Sequence, residues 1–318
     1  MTLARKKPKG EEVLPEPVQK SATEAIREIE TLQGGRVLVY TSGRSIAFWD
    51  IAPLYRLLAK MGHQSKLSII IQSRGGFPDD AFKMANVIRE FADHVTFIVA
   101  SYANSAATML CLSGDEILMG PISELGPTNP MMYVDERLIT PTVVEPSTVR
   151  GEPKEKQRPQ QRQMAAHALR DFLTAAGVLR MDENGAFGYD PEVLSVYMAN
   201  GILNPFILGE FERSGKISVQ YCETLLKRYM FRDRDDADGL APEVARRLCE
   251  GYYDHNYSIG RKEAREVLKL KVQDMSDELC QRTSELLSAY DEMIAAQNIA
   301  TIIETSDGFE IDHWPSAP

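Results

Sequence analysis

The sequence predicts an α/β fold built from repeated strand–turn–helix units. Three apolar, β-branched runs have strand character, at Arg36–Thr41, Leu67–Gln72 and Val95–Ala100. The stretches between them carry apolar residues at the spacing of three and four that is typical of helices. Leu67–Gln72 is apolar enough to be buried on both faces, as in a parallel sheet. This order of elements predicts a right-handed βαβ unit.

The same two periodicities place the remaining elements before residue 120. A short helix is expected at Thr23–Leu32 and another at Phe48–Met61, which Gly62 ends. Pro78 suits the first position of the next helix, which extends to Phe91. After the strand at 95–100 we expect a small, buried helix at 106–112 and a short strand at 115–119.

The composition changes after residue 140, where prolines alternate with charged residues. Beyond Met164 the pattern is helical, and 274–298 predicts an amphipathic helix. We therefore divide the chain into five regions. They are a flexible N-terminal arm (1–30), a core (31–140), a linker or active-site arm (141–163), a helical part that closes the core (164–272) and an amphipathic C-terminal tail (273–318).

The overall composition limits the possible functions. The 318-residue chain is 43% hydrophobic and has a net charge of −10, which argues against binding to nucleic acid. It has no apolar run of membrane-spanning length, and its first ten residues lack the apolar centre of a signal peptide, so we expect a cytoplasmic protein that does not insert into membranes. The four cysteines are far apart in the sequence, and none of them belongs to a CxxC motif. This spacing predicts free thiols and no metal site.

Two short stretches carry candidate chemistry. Ser105 lies where a strand turns into a helix, and the N–H groups at such a helix start favour a developing negative charge. The alternative is that Ser105 is only an N-cap. Gly75 and Gly76 end the second strand, where paired glycines permit close approach of a substrate backbone or simply form a tight turn. Because the GxGxxG and GxxxxGK patterns are absent, we predict no nucleotide cofactor.

Several segments together resemble the ClpP/crotonase superfamily. They are Ile71–Gly76, Tyr102–Thr108, Asp115–Pro121, Ser123–Pro127 and Asp254–Ile259 with Glu263–Ala264. Within the superfamily they are most similar to the SppA-like serine peptidases, in particular the serine dehydrogenase proteinase family. The resemblance is dense over 35–130 and looser over 248–272. It implies a ClpP/crotonase-like core with a helical C-terminal part, assembled as a homo-oligomer.

The resemblance also implies an activity, that of a serine peptidase acting on peptides or proteins. Ser105 would attack the peptide carbonyl. The N–H of Gly75 or Gly76 and that of Ala106 would form the oxyanion hole.

The general base is less well defined by the sequence. His255 lies in the closing motif, and imidazole is the side chain that changes charge nearest neutral pH. Lys154 and Lys156 are the alternative bases, but they lie in the charged linker and would have to be desolvated to act.

Three positions depart from the family pattern. Arg74 stands where proline often precedes the glycines, Asn129 where the family has aspartate, and Asn256 replaces the aspartate of the closing motif. The motif therefore lacks an acid that would orient the base. Two alternatives stay open, a catalytically silent scaffold with the ClpP fold and a crotonase-type acyl-CoA enzyme.

Overall fold

The computed structural model describes residues 16–135, 161–181, 187–200 and 205–314. The helices in these ranges are α1 (Glu16–Gln33), α2 (Phe48–Met61), α3 (Pro78–Glu90), α4 (Ala106–Cys111), α5 (Ala166–Ala175), α6 (Pro191–Ala199), α7 (Pro205–Leu225, continued by a π-helical turn at Leu226–Met230), α8 (Ala237–Glu250), α9 (Arg261–Glu266) and α10 (Asp277–Gln297). Most of the predicted linker, including Lys154 and Lys156, lies outside the described residues.

The strands in the same ranges form one large sheet and two ribbons. They are β1 (Arg36–Ser42), β2 (Gln64–Ser73), β3 (Ala92–Val99), β4 (Tyr102–Ala103), β5 (Glu116–Met119), β6 (Glu124–Leu125), β7 (Met131–Asp135), β8 (Gln161–Ala165), β9 (Leu179–Met181), β10 (Phe187–Tyr189), β11 (Ile259–Gly260), β12 (Val272–Asp274), β13 (Ile299–Thr305) and β14 (Gly308–His313). The pairs β7–β8 and β9–β10 are separate ribbons, and the other ten strands form the central sheet.

The middle of the sheet is parallel, which confirms the predicted α/β class. Strand β2 pairs in parallel with β1 on one side and with β3 and β4 on the other. Strand β3 in turn pairs in parallel with β5. The carboxyl ends of these strands therefore lie at one edge of the sheet, where α/β proteins place their functional loops.

Both faces of the sheet are covered, as the apolar composition of its strands predicts. Leu38 and Tyr40 of β1 belong to the core shared with α2, α3, α4, α7 and α8. Val37 and Val39 point to the other face, in the core shared with α1 and α10. This alternation follows from the two-residue period of a strand.

The N-terminal region is more structured than we predicted. Helix α1 contains the helix expected at Thr23–Leu32, but it begins already at Glu16, inside the region 1–30 that we assigned to a flexible arm. Ala22, Ile26 and Ile29 recur on one face of this helix and are buried in the core shared with α10. That apolar face explains the difference, because burying it offsets the conformational entropy lost by ordering the chain.

The C-terminal region is part of the sheet and not a separate tail. Helix α10 agrees with the predicted helix, but the two strands that follow it were not predicted. Strand β13 lies antiparallel to β1, and all seven of its residues are buried. The apolar face of α10, including Leu286 and Tyr290, packs in the second core. The apolar face of this amphipathic helix is therefore covered within the chain, and it does not support the homo-oligomer that the resemblance implies.

Helices α5 to α8 overlap the helical segments expected between residues 164 and 272, and short strands lie among them. In the described parts of the chain, no helix combines the length and the apolar character needed to span a bilayer.

Truncation after Asn298 should prevent folding, because it removes the neighbour of β1 on one side and the buried residues of β13. The resulting loss of unfolding free energy should exceed the total stability of a typical domain, about 5–15 kcal/mol. Thermal denaturation followed by circular dichroism should then show no cooperative transition. Truncation after Trp314 keeps every described strand and should leave the melting temperature unchanged. A 1–298 chain that melts like the full chain would contradict this role of β13.

Glu304 of β13 gives a pH prediction. Burial raises the pKa of this carboxyl from its ordinary value of 4.5 to about 7, and the hydrogen bond from the Tyr290 hydroxyl (2.7 Å) opposes the rise. Because the pKa of Glu304 is higher in the folded state than in the unfolded state, its contribution to the free energy of unfolding is fully present below the unfolded-state pKa. This contribution is lost as pH rises through about 7. Glu304→Gln should remove this decline and raise the unfolding free energy at pH 8, by up to about 3 kcal/mol.

Urea unfolding of both proteins at several pH values between about 4 and 8 measures the effect. Parallel pH dependences for the two proteins would show that Glu304 does not titrate in this range.

Candidate active site

Ser105 and the turn at Gly75–Gly76 meet at the carboxyl edge of the parallel strands. Ser73, the last residue of β2, pairs with Ala103 of β4. The Asn104 N–H then donates to the Ser73 carbonyl at 3.0 Å. The chain that leads to Ser105 therefore runs alongside the end of β2 before it enters α4.

The backbone of Ser105 is strained. Its φ of 54° and ψ of −120° lie outside the regions that a residue with a side chain normally adopts. Ser105 occupies the N-cap position of α4, but its side chain makes no capping hydrogen bond. The N-cap interpretation therefore does not account for the hydroxyl. Strain of this kind occurs at functional sites, where a sharp strand-to-helix turn can present a nucleophile.

Gly75 is in direct contact with the backbone around Ser105. A Cβ atom on Gly75 would lie 2.5 Å from the Asn104 carbonyl oxygen, 2.7 Å from Ser105 Cβ and 2.8 Å from the Ala106 nitrogen. The φ of Gly75 is +96°, which also favours glycine. Its N–H donates to the Ser73 hydroxyl at 3.1 Å and so is already engaged.

Gly76 is oriented by a bridge to Ile46, which follows β1 in the chain. The Ile46 N–H donates to the Gly75 carbonyl (2.8 Å), and the Ile46 carbonyl accepts from the Phe77 N–H (2.9 Å). In a parallel pairing, the residue between two such bonds directs its own N–H and C=O to the opposite side. That side carries β4 and Ser105. The Gly76 N–H is therefore directed away from Ile46, whereas the Gly75 N–H is already bonded to Ser73.

An open cavity of about 1100 Å³ connects these groups. Five of the predicted site residues line it, namely Gly75, Gly76, Ser105, Ala106 and His255. The N–H of Ala106 belongs to the first turn of α4, where backbone N–H groups have no partner within the helix. A peptide carbonyl in this cavity can therefore meet two backbone donors beside the Ser105 hydroxyl.

His255 is oriented by Asn129. Its Nδ1 lies 2.7 Å from the Asn129 side-chain oxygen, and Asn129 is 1% exposed. Since an amide oxygen only accepts, Nδ1 carries the proton and Nε2 is the basic nitrogen of the neutral ring. Asn256, where the family pattern has aspartate, is exposed and bonds to Asp254 instead.

The sequence marks Asn129 only as a departure from the family pattern and does not indicate that it contacts His255. The pairing of β6 with β11 aligns Leu125 with Ile259 and so brings the loop that holds Asn129 next to His255. The two motifs were each recognised, but their contact depends on this pairing.

Thr108 attaches the start of α4 to the same loop. Its hydroxyl lies 2.6 Å from the Ala103 carbonyl and 2.9 Å from the Gly126 carbonyl, and it accepts from the Gly126 N–H at 2.9 Å. This motif residue therefore sets the distance between the Ser105 helix and the Asn129 loop.

Two of the cysteines meet behind the site. Cys222 and Cys249 lie 3.4 Å and 3.0 Å from the Thr128 hydroxyl, and both are free thiols, as predicted. The hydrogen bond with Cys222, together with burial, raises the pKa of the Cys249 thiol well above its ordinary value. Such a thiol is a poor nucleophile, so this pair contributes packing.

Comparison with known proteins gives few relatives. No protein-family model matches the sequence. An uncharacterised protein of Methanocaldococcus jannaschii is 25% identical over 119 residues, which are 34% of this chain and 41% of that protein. The chain thus matches about two fifths of the length of this curated relative.

Two solved structures of a membrane-bound stomatin-specific protease, 1510-N, are similar to this one. The first is a serine-to-alanine variant, with a TM-score of 0.38 and 14% identity over 77% of this chain and 79% of that chain. The second is a lysine-to-alanine variant in complex with a substrate peptide, with a TM-score of 0.36 and 13% identity over 86% of this chain and 87% of that chain.

Gly75→Ala should be strongly destabilising, whereas Gly62→Ala is a matched control. Both glycines have positive φ, but a Cβ on Gly62 would meet nothing within 4 Å. Gly62→Ala should lower the free energy of unfolding only by the cost of a positive φ, about 1–2 kcal/mol. Gly75→Ala adds overlap with the Ser105 backbone and should cost roughly 2–5 kcal/mol. Urea unfolding compares the two, and equal losses would mean that the turn can move away from Ser105 freely.

Proposed function

We propose that the chain is a serine peptidase that cleaves peptides or proteins through Ser105. The observation that carries the proposal is the placement of a strained serine at a strand-to-helix turn, in direct contact with the Gly75–Gly76 turn. The sequence resemblance to SppA-like peptidases supports the same reaction.

The geometry supports a division of roles. The Ser105 hydroxyl attacks the scissile carbonyl, and the N–H groups of Gly76 and Ala106 receive the negative charge that develops on its oxygen. His255 Nε2 takes the proton from Ser105 and returns it to the leaving amine. Asn129 keeps the imidazole in the tautomer that this transfer needs.

The proposed function also includes the cofactor requirement, the cellular location and the assembly of the protein. Every step uses groups of the chain itself, so no cofactor is included. We include a cytoplasmic location on the sequence expectations. Homo-oligomerisation is included on the resemblance alone, because the apolar face of α10 is covered within the chain and gives no further support for assembly.

One observation favours a second candidate, a catalytically silent scaffold. His255 is oriented by the neutral amide of Asn129, and Asn256 stands where the closing motif of the family has aspartate. An amide partner carries no negative charge to stabilise the imidazolium that proton transfer would form.

An activity-based fluorophosphonate probe separates these functions. We expect the probe to label the wild-type protein at Ser105 and Ser105→Ala to lose both labelling and peptide cleavage. The reason is that the probe needs an activated nucleophile beside oxyanion donors. Ser195→Ala is the control, since Ser195 is exposed on α6 and bonds to the Glu192 carbonyl. Absent labelling of the wild-type protein would favour the scaffold, and persistent cleavage by Ser105→Ala would place the nucleophile elsewhere.

His255→Gln should lower kcat by about 10²–10⁴-fold with little change in KM. The activity of the wild-type protein should rise with pH through one ionisation in the neutral range, because a protonated imidazole cannot accept the serine proton. Replacing Lys154 and Lys156 together with methionine should cost little activity. An active His255→Gln protein with an inactive double-methionine variant, and a profile shifted to alkaline pH, would identify a lysine as the base.

A further inference from the structure

We propose that Asp50 is a positioning residue for the oxyanion-forming turn at Gly75–Gly76, acting through Ile46. This inference rests on the proposed function and deepens it, because it names what holds the Gly76 N–H in place. Asp50 lies on the first turn of α2, outside the residues that line the cavity.

The position of the turn follows the position of Ile46. Both backbone polar groups of Ile46 are bonded to the turn, at 2.8 Å and 2.9 Å. A Cβ atom on Gly76 would lie 2.3 Å from both the nitrogen and the oxygen of Ile46, so the two backbones are in van der Waals contact. Ile46 is fully buried and cannot move without its surroundings. A shift of Ile46 is therefore transmitted to Gly76.

Asp50 holds the chain on both sides of Ile46. Its Oδ2 accepts from the Ala47 N–H at 2.9 Å, and its Oδ1 accepts from the Arg44 guanidinium at 3.0 Å. The Tyr40 hydroxyl of β1 donates to Oδ2 at 3.2 Å. One carboxylate thus connects β1, the segment 43–47 and α2.

Burial makes this arrangement sensitive to change. Asp50 is 1% exposed, and burial raises its pKa, while the bonds from Ala47 and Arg44 oppose the rise. Removing the carboxylate leaves the Ala47 N–H and the Tyr40 hydroxyl without their acceptor. A buried donor without an acceptor lowers the stability of the fold around it. The segment 43–47 can then relax to find new partners. A displacement of about 1 Å at a catalytic group can cost about 10²-fold in rate.

A purely structural role is the competing explanation. Asp50 occupies the third position of α2 and accepts the N–H of the N-cap residue Ala47, which is one half of a capping box. Loss of a cap lowers stability but leaves the turnover of the folded enzyme unchanged. The two roles are therefore distinguished by kcat and by the hydrogen-exchange protection of the Gly75–Gly76 turn, both measured well below the melting temperature.

The variants are Asp50→Ala, Asp50→Asn and a control, Glu304→Gln. Glu304 is also 1% exposed and hydrogen-bonded to a tyrosine, but it lies on β13 opposite Val39. Each protein is assayed for kcat and KM on a peptide and for the rate of fluorophosphonate labelling. Native hydrogen exchange follows the Phe77 amide, whose bond to Ile46 reports directly on the turn.

We expect Asp50→Ala to lower kcat and the labelling rate by about 10–10²-fold with KM nearly unchanged. Exchange of the Phe77 amide should accelerate by about tenfold or more, because its acceptor is no longer held. Asp50→Asn retains an oxygen for the Ala47 N–H and should show a smaller loss. Glu304→Gln should resemble the wild-type protein in all of these measurements.

The proposal is overturned if Asp50→Ala melts at a lower temperature with unchanged kcat, labelling and Phe77 exchange. If Asp50→Ala does not fold, the same readouts on Asp50→Asn decide the question. A wild-type protein that neither cleaves nor labels would remove the proposed function. The Phe77 exchange rates of the variants would then still show whether Asp50 positions the turn.

Discussion

The contact between Gly75 and the backbone on either side of Ser105 is the constraint on which the site depends. Two chain segments from different βαβ units approach so closely there that no side chain fits between them. The approach is possible because β2 and β4 are parallel neighbours and end at the same edge of the sheet. It places the strained serine, the Gly75–Gly76 turn and the start of α4 next to one another. The cavity, the histidine and the Asp50 network are all arranged about that contact.

The partner of His255 is an amide and not a carboxylate, and this difference has chemical consequences. An amide oxygen selects the tautomer and the orientation of the ring, as a carboxylate does. It lacks the negative charge that stabilises an imidazolium after proton transfer. A histidine–asparagine pair still serves nucleophilic catalysis in papain-like proteases, so the substitution is compatible with a working base. The neutral partner also avoids the cost of a buried charge at a position that is 1% exposed.

Local patterns predicted the parallel units and missed the elements whose role depends on distant partners. The strands at 36–41, 67–72 and 95–100 were recognised because β-branched, apolar runs leave little choice of conformation. Strand β13 has the same character, but it follows a long amphipathic helix, and the local pattern does not indicate that the chain returns to the sheet. Its place next to β1 depends on a pairing that joins Leu38 to Thr305, which no local period reveals.

The sequence by itself determined the α/β class, the position of Ser105 between strand and helix, and the glycines beside it. These features depend on short-range preferences, namely strand and helix periods and the freedom of glycine at positive φ. Only the tertiary structure decided that Ile46 pairs with Gly76 and that Asn129 orients His255 across 126 residues. Each of these contacts requires the pairing of strands that are distant in the chain. The geometry of the site is therefore a property of the assembled sheet.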